Sequence, residues 1–534
     1  MNRKTWVLPV ALGVLAPVLA GCGDSGNGAG GGKPIVVGTT DAYEKSADAP
    51  APLDPAYAYD SALWNVLRQT VQSLVRVPRG GGQPQPDAAK SCKWVGSGGT
   101  VYTCEMREGL QFPDGTGITS KDVKYSIQRV LDIKDPNGAV GLLSGIKTMD
   151  TPDEKHITFH LSSPDATLPY KLATPVAGIV QKKFYPPKSL RKGYVLDGSG
   201  PYTLKAETNS KAVTRVKFTK NPKYKGPLTV KNNRVDLVSY AGAPALGDAL
   251  EAGKIDVMTG KFDPSQVDSL LANPPQRVQF MEVPGLETHY LIFDTSDAAT
   301  SKPVRQAVAQ LIDRGEIVSK AYAPIADPLY SLVPATIAGH TNSFFNRYGN
   351  PNAVKAKATL EKAGITTPVK FDIYYSREHY GPAKEKEYKL IQKQLNDSGL
   401  FDVSLKDVAD WTKYRKEGME GKFPAYTMAW APDFPDADNY IAPFLDADNF
   451  LNSPYNSKDI RKSLIPAERR GSDRGEAAPD LEKIQDIVAD DVPVVPMWQG
   501  KQYIGARDDI TGAEWSLSTS TDLQLWELAR GVGD

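Results

Sequence analysis

Hydrophobic and polar positions follow two different periods along this chain. A period of three to four residues governs SKDVKYSIQRVLDI, where Val123, Ile127, Val130 and Leu131 share one face and Ser120 is placed to cap the first turn, so the stretch predicts a helix. The same period recurs in KPVRQAVAQLIDRGEIVSKAY, in NAVKAKATLEKAG with Gly364 as a stop, in EKEYKLIQKQLNDSG and in LEKIQDIVADD. Period-two alternation and short apolar runs bounded by Gly and Pro predict strands in PIVVGTT, HITFHLSS, TRVKFTKN, RVDLVSYAG, THYLIFDTS, PVKFDIYYS, AYTMAWAP and PVVPMWQG. Strands alternating with helices in this way define an α/β protein with mixed sheets.

The N-terminal run breaks that pattern. MNRKTWVLPVALGVLAPV carries Arg3 and Lys4 ahead of an apolar stretch of signal-peptide length, too short for a membrane span. In LAGC, the small residues Ala20 and Gly21 before Cys22 resemble the lipobox of bacterial lipoproteins, which implies that Cys22 carries a diacylglycerol and becomes the mature N-terminus. An ordinary signal with a chance cysteine is the alternative. The following GDSGNGAGGGK lacks large apolar side chains and reads as a flexible tether over 22–33.

Composition narrows the function classes. Beyond the leader, roughly 510 residues suffice for about three domains with a large core. Hydrophobic residues make up 40% of the chain, yet no later segment is long and apolar enough to span a bilayer, so the mature body is expected to be soluble. Balanced totals of 63 basic and 63 acidic residues argue against nucleic acid or an anionic membrane surface as the partner. Besides Cys22 there are two cysteines, Cys92 and Cys104, flanking the turn signal VGSGG. A hairpin there would bring them together, and export would place them in an oxidising compartment, so a disulfide worth about 3 kcal/mol is expected. Two independent buried thiols are the alternative; metal ligation lacks a nearby histidine or further cysteine.

Several blocks in order resemble one family. YTCEMREGLQFPDGTGITSKDVKYSIQRVL, GSGPYTLK, PVRQAVAQLIDRGEIV, AKATLEKAGI, MAWAPDFPDADNYIAPFL and VPVVPMWQGKQYIGARDDITG are similar, in content and relative position, to the extracellular solute-binding proteins of the peptide and nickel class, family 5. The residues themselves read mostly as scaffold. Asp114, Gly115 and Gly117 suit a tight turn, Thr119 or Ser120 a helix cap, Asp313 a local pair or cap alongside Arg305 and Arg314, and GSGPY a turn into a strand.

The resemblance implies an α/β fold of the type II periplasmic-binding-protein kind, with two lobes joined by a hinge and a third domain inserted near the N-terminus. Lobe I would comprise 34–75, 195–295 and 498–534, the inserted domain 76–194, and the other lobe 296–497. Ligand contacts to both lobes would favour a closed state. In peptide-binding members, an aspartate three positions after a tryptophan pairs with the ligand's α-ammonium, and the matching residues are Trp430 and Asp433. Read alone, Asp433 between Pro432 and Pro435 is a turn residue, and Trp430 serves equally as core. Asp436 and Asp438 are expected to be solvated, and Trp498, Tyr290 and Tyr440 are weaker candidates for the cleft wall.

Enzymatic readings find little support. The histidines are scattered, and His156 and His160 lie in a predicted strand, about 13 Å apart. No HExxH, GxSxG or Walker pattern occurs. The expectation is a lipid-anchored receptor, without catalysis, cofactor or metal, on the outer face of a bacterial cytoplasmic membrane. It would act as a monomer, capturing oligopeptides and delivering them to ABC permease subunits. A receptor for an oligosaccharide or metal chelate, or a surface hydrolase, are the alternatives.

Overall fold

The computed structural model describes residues 32–43, 50–209, 212–380 and 382–531. The leader, Cys22 and nearly all of the tether lie outside them. Among the described residues no helix is long and apolar enough to cross a membrane.

A mixed eleven-stranded sheet organises the chain. Its order is Phe401–Asp407, Val369–Tyr375, Ala425–Trp430, Val278–Phe293, Val494–Arg507, Val257–Thr259, Ile35–Thr39, Arg234–Ser239, Val213–Lys220 and Tyr202–Thr208, with Ala326–Pro328 pairing off this path onto Val494–Arg507. The two long central strands are antiparallel to each other. Their register breaks between Pro284 and Thr288 and again between His289 and Tyr290, as bulges do where a strand must bend.

Those breaks fall where the chain passes between two hydrophobic cores. Val283 and Ile504 pack into one core, built mainly from residues 35–257 with the C-terminal segment. Tyr290, Ile292, Val494 and Met497 pack into the other, built from residues 290–498. The same two strands therefore serve both cores, and they are the covalent connection between them.

A separate four-stranded antiparallel sheet carries Ala89–Trp94, Val101–Met106, His156–Leu161 and Ile146–Asp150 in that order. Cys92 stands opposite Cys104 in register, and a disulfide joins them. His156 and His160 lie along one strand of this sheet, beside Asp153 and Asp150.

The predicted strands all occur as strands, one of the two caps offered for the Ser120 helix is used, and one helix reading changes. The Ser120–Ile133 helix is capped by Thr119, whose backbone N–H and hydroxyl both donate to the Asp122 carboxylate at 2.9 Å; Ser120 instead donates to the Asp153 carbonyl. Asp122 three residues on makes Thr119 the better cap. The periodic stretch from Lys302 is two helices, Lys302–Leu311 and Arg314–Ala321, because Asp313 accepts from Glu316 N–H and starts the second. Arg305 and Arg314 are buried structural ties: Arg305 donates to the carbonyls of Thr300, Asp491 and Val492, and Arg314 to that of Pro496. In GSGPY, a Cβ on Gly198 or Gly200 would come within 2.4 or 2.6 Å of the Thr70 backbone, so glycine is required for the chain to pass there.

Candidate functional site

Between the two cores lies a cavity of about 1290 Å³. One wall comes from Tyr43, Tyr59, Asp60 and Trp64, the other from Trp411, Arg415, Met428 to Phe434 and Asn439, with Asp165 and Lys171 closing one end. Contacts bridge the walls at that end: Ala166 N–H donates to the Arg469 carbonyl at 2.8 Å, and Tyr170 stacks on Phe434 with ring centroids 5.9 Å apart.

The strand Ala425–Trp430 delivers its last residue and the following loop to this cavity. Trp430 is both wall and core. It is 8% exposed, lines the cavity, and packs edge-on against Phe444 and Phe450. Asp433 follows, half-buried, on a loop shaped by Asn439: the Asp433 N–H donates to Asn439 Oδ1 at 2.8 Å, and Asn439 Nδ2 donates back to Asp433 Oδ2 at 3.2 Å. The Tyr59 hydroxyl, from the other wall, donates to the same Oδ2 at 3.2 Å. Among the described residues no cation forms an ion pair with Asp433. Burial pushes its carboxyl up to about 6, against the hydrogen bonds from Asn439 and Tyr59 and the more distant charge of Lys171.

Most other carboxylates of the wall are paired, and the exposed Asp448 lies on its rim. Asp165 pairs with Lys171 at 2.6 Å, Asp522 with Arg68 at 3.0 Å, and Asp438 and Asp446 with Arg469 at 3.0 and 2.9 Å. Asp60 caps the helix Ser61–Thr70. Asp436 and Asp438 correct the expectation of solvated carboxylates: they are 5% and 3% exposed, because Arg474 clamps Asp436 at 2.7 and 2.8 Å and Arg469 holds Asp438. Despite burial, Arg469 and Lys171 hold Asp438 at about 2, while burial and Asp438 itself push the adjacent Glu468 well above the usual range. Arg415 differs in the opposite sense from Asp433. It is exposed, lies 5.6 Å over the Phe450 ring, and among the described residues makes no ion pair.

Three weaker wall candidates lie elsewhere. Tyr290 is fully buried, accepting from Thr288 and donating to the Leu332 carbonyl; Tyr440 is fully buried and donates to the Leu286 carbonyl. Trp498 stacks on His289 at 3.6 Å inside the second core. None of the three lines the cavity; all three are packed into the second core. His289 and Trp498 are cross-strand neighbours where the two long strands change cores. There Lys384, paired with Glu387 at 2.8 Å, approaches His289 Nδ1 at 3.1 Å, and His289 Nε2 meets Glu287 at 2.8 Å. Burial and Lys384 push the ring down to about 4, so it is neutral at physiological pH.

Tyr59, Trp411, Arg415 and Asn439 are site residues the sequence reading passed over. Asn439 stood within the quoted MAWAPDFPDADNY and could have been found from its side-chain chemistry, whereas nothing local marks Tyr59.

A cleft between two cores, spanned by two continuous strands and holding a half-buried carboxylate that no cation pairs among the described residues, defines a binding protein of the hinged, two-lobed α/β type. The family model for bacterial extracellular solute-binding proteins, family 5 (middle) matches residues 83–452, more than half of the chain, and the chain belongs to that family. It is 26% identical over 483 residues to the probable D,D-dipeptide-binding periplasmic protein DdpA of Escherichia coli, covering 88% of this chain and 90% of the relative. It is 25% identical over 481 residues to heme-binding protein A of Haemophilus influenzae, covering 85% and 86%. The fold matches that of DppA of Helicobacter pylori, solved in complex with the peptide STSA, at a TM-score of 0.74 and 21% identity, covering 94% and 98% of the two chains. The architecture is that of the type II periplasmic binding proteins.

Proposed function

We propose that this protein captures short peptides bearing a free α-amine, with Asp433 taking the ammonium, and delivers them to ABC permease subunits while Cys22 holds it by a lipid at the outer face of the membrane. The observation that carries the reading is Asp433 itself, a carboxylate raised to about 6 in a cavity wall whose other buried acids are paired. Burying a carboxylate without a cation is costly, and a ligand ammonium would remove that cost while adding charge-assisted hydrogen bonds of about 1.5–3 kcal/mol each. Trp430 and Trp411 would pack against the peptide, and Arg415 is placed to meet a carboxylate. The cavity exceeds the roughly 300–1,000 Å³ usual for small-molecule sites, which suits an oligopeptide better than a single amino acid. Relatives named for peptide binding support the assignment.

In this reading lobe I is 34–75, 195–295 and 498–534, the inserted domain 76–194, and the second lobe 296–497, hinging on the two long strands. A heme-binding relative keeps a metal chelate as the second reading. The test is calorimetric titration of a panel of di- to pentapeptides, free and N-acetylated, alongside oligosaccharides and metal chelates. Free-amine peptides are expected to bind, and Asp433→Asn to weaken them by about 10- to 100-fold while leaving N-acetylated peptides nearly unchanged. Equal losses on both, or binding confined to sugars or chelates, would reject the amine assignment.

A further inference from the structure

We propose that Tyr59 is a positioning residue of the amine site, supplied from the opposite wall, so that the Asp433 carboxylate is fully oriented only when the two halves are together. The inference rests on the reading of Asp433 as the ammonium contact. Its geometry is specific: the Tyr59 hydroxyl and Asn439 Nδ2 both donate to Oδ2, each at 3.2 Å. Among the described residues Oδ1 takes no hydrogen bond, which leaves it as the oxygen that faces a ligand.

The two donors reach Asp433 by different routes. Asn439 is buried, on the same loop-and-helix unit, and travels with Asp433 in any motion of that half. Tyr59 lies 374 positions away in sequence, in the segment that leads to the helix Ser61–Thr70 of the other half. Its ring rests on Trp64 with centroids 5.7 Å apart, and Trp64 packs into the first core. Opening the cleft would therefore withdraw one of the two donors and leave the other in place. The phenol O–H presents its proton to the carboxylate. It thereby stabilises the ionised form that an ammonium requires, in the same direction as Asn439.

Tyr59 is 41% exposed, so Tyr59→Phe removes one oxygen and keeps the ring on Trp64. With the tightest free-amine peptide from the panel, Tyr59→Phe is expected to lose about tenfold in affinity at pH 7 and nothing with its N-acetylated form. In the Asp433→Asn background the same change is expected to have no further effect, since the two residues act through one contact. A second readout needs no ligand: the pH at which stability steps as Asp433 ionises should move upward in Tyr59→Phe, because the donor that favours the ionised carboxylate is gone. Asn439 and Lys171, which also face Asp433, and Tyr440, which its charge reaches, are unchanged in the variant. Equal losses on both peptides, an undiminished effect without the Asp433 carboxylate, or an unmoved pH step would each overturn the proposal. If Asp433→Asn discriminates between free and acetylated peptides while Tyr59→Phe does not, the role of Tyr59 falls and the amine site stands. If Asp433→Asn fails to discriminate, the amine site falls first.

Discussion

Asp433 and Asp436 belong to one short loop, carry the same side chain, and end in opposite situations. Asp436 is 5% exposed and held by Nε and Nη2 of Arg474, which also reaches Glu468 at 2.6 Å. Asp433 has only neutral donors, Asn439 and Tyr59, and burial pushes its carboxyl up to about 6. One end of the loop is thus electrostatically complete without a ligand and the other is not. The difference teaches that a carboxylate's role here is set by the cation opposite it, and that the incomplete site is the one available for work.

The largest effect should come from breaking the complete end. Arg474→Ala leaves Asp436 buried without its cation, while Glu468 keeps Arg469 at 3.6 Å, so a loss of about 3–5 kcal/mol is expected in chemical denaturation. Peptide discrimination by the surviving folded protein should stay intact. A loss below about 1 kcal/mol would show that water enters and that the two ends are not so different.

At the incomplete end the sign reverses. A carboxyl whose folded-state pKa is raised contributes stability that is fully present below its ordinary value of 3.8 and is lost as pH rises through about 6. Asp433→Asn is therefore expected to stabilise the ligand-free protein at pH 8, by at most about 2–3 kcal/mol and by less where water reaches the carboxylate, and to give no advantage below pH about 4. Thermal denaturation across that range checks it. A destabilised variant at pH 8 would place Asp433 among the structural carboxylates instead.

Ligand affinity sharpens the same contrast. Free-amine peptides should weaken by up to about tenfold for each pH unit below 6 as Asp433 protonates, while N-acetylated peptides stay level over the same interval. Parallel curves would detach the amine from Asp433. The smallest effect belongs to Asp448, an exposed carboxylate on the cavity rim. Asp448→Asn should change stability by less than about 0.5 kcal/mol, with any effect on cationic peptides disappearing at high salt.

Much of the fold was legible because its signals are local. A period-two run such as PVKFDIYYS became a strand with one face buried, and the apolar run of THYLIFDTS became one buried on both faces, since such patterns need no knowledge of their neighbours. The Cys92 to Cys104 segment spelled its hairpin in the same way, with VGSGG between two strands in register. Where periodicity continued unbroken, as from Lys302 to Tyr322, it hid the break at Asp313, because a cap can interrupt a helix without disturbing the apolar stripe. Of the site, the loop bearing Trp430 and Asp433 was visible, while Tyr290, Tyr440 and Trp498, weaker wall candidates that read more as core, have buried partners that place them in the second core.

The sequence by itself determined the alternation of strands and helices, the family, and the loop that reaches the cavity, because each rests on residues close together in the chain. Tertiary structure alone decided which carboxylates are paired and which one is left open. Arg469 and Arg474 come to Asp438 and Asp436 from the turn that follows the short helix Ile465–Glu468, and Tyr59 comes to Asp433 from the other half of the molecule. Charge balance in a buried site depends on distances of a few ångströms between groups that the chain itself does not place side by side.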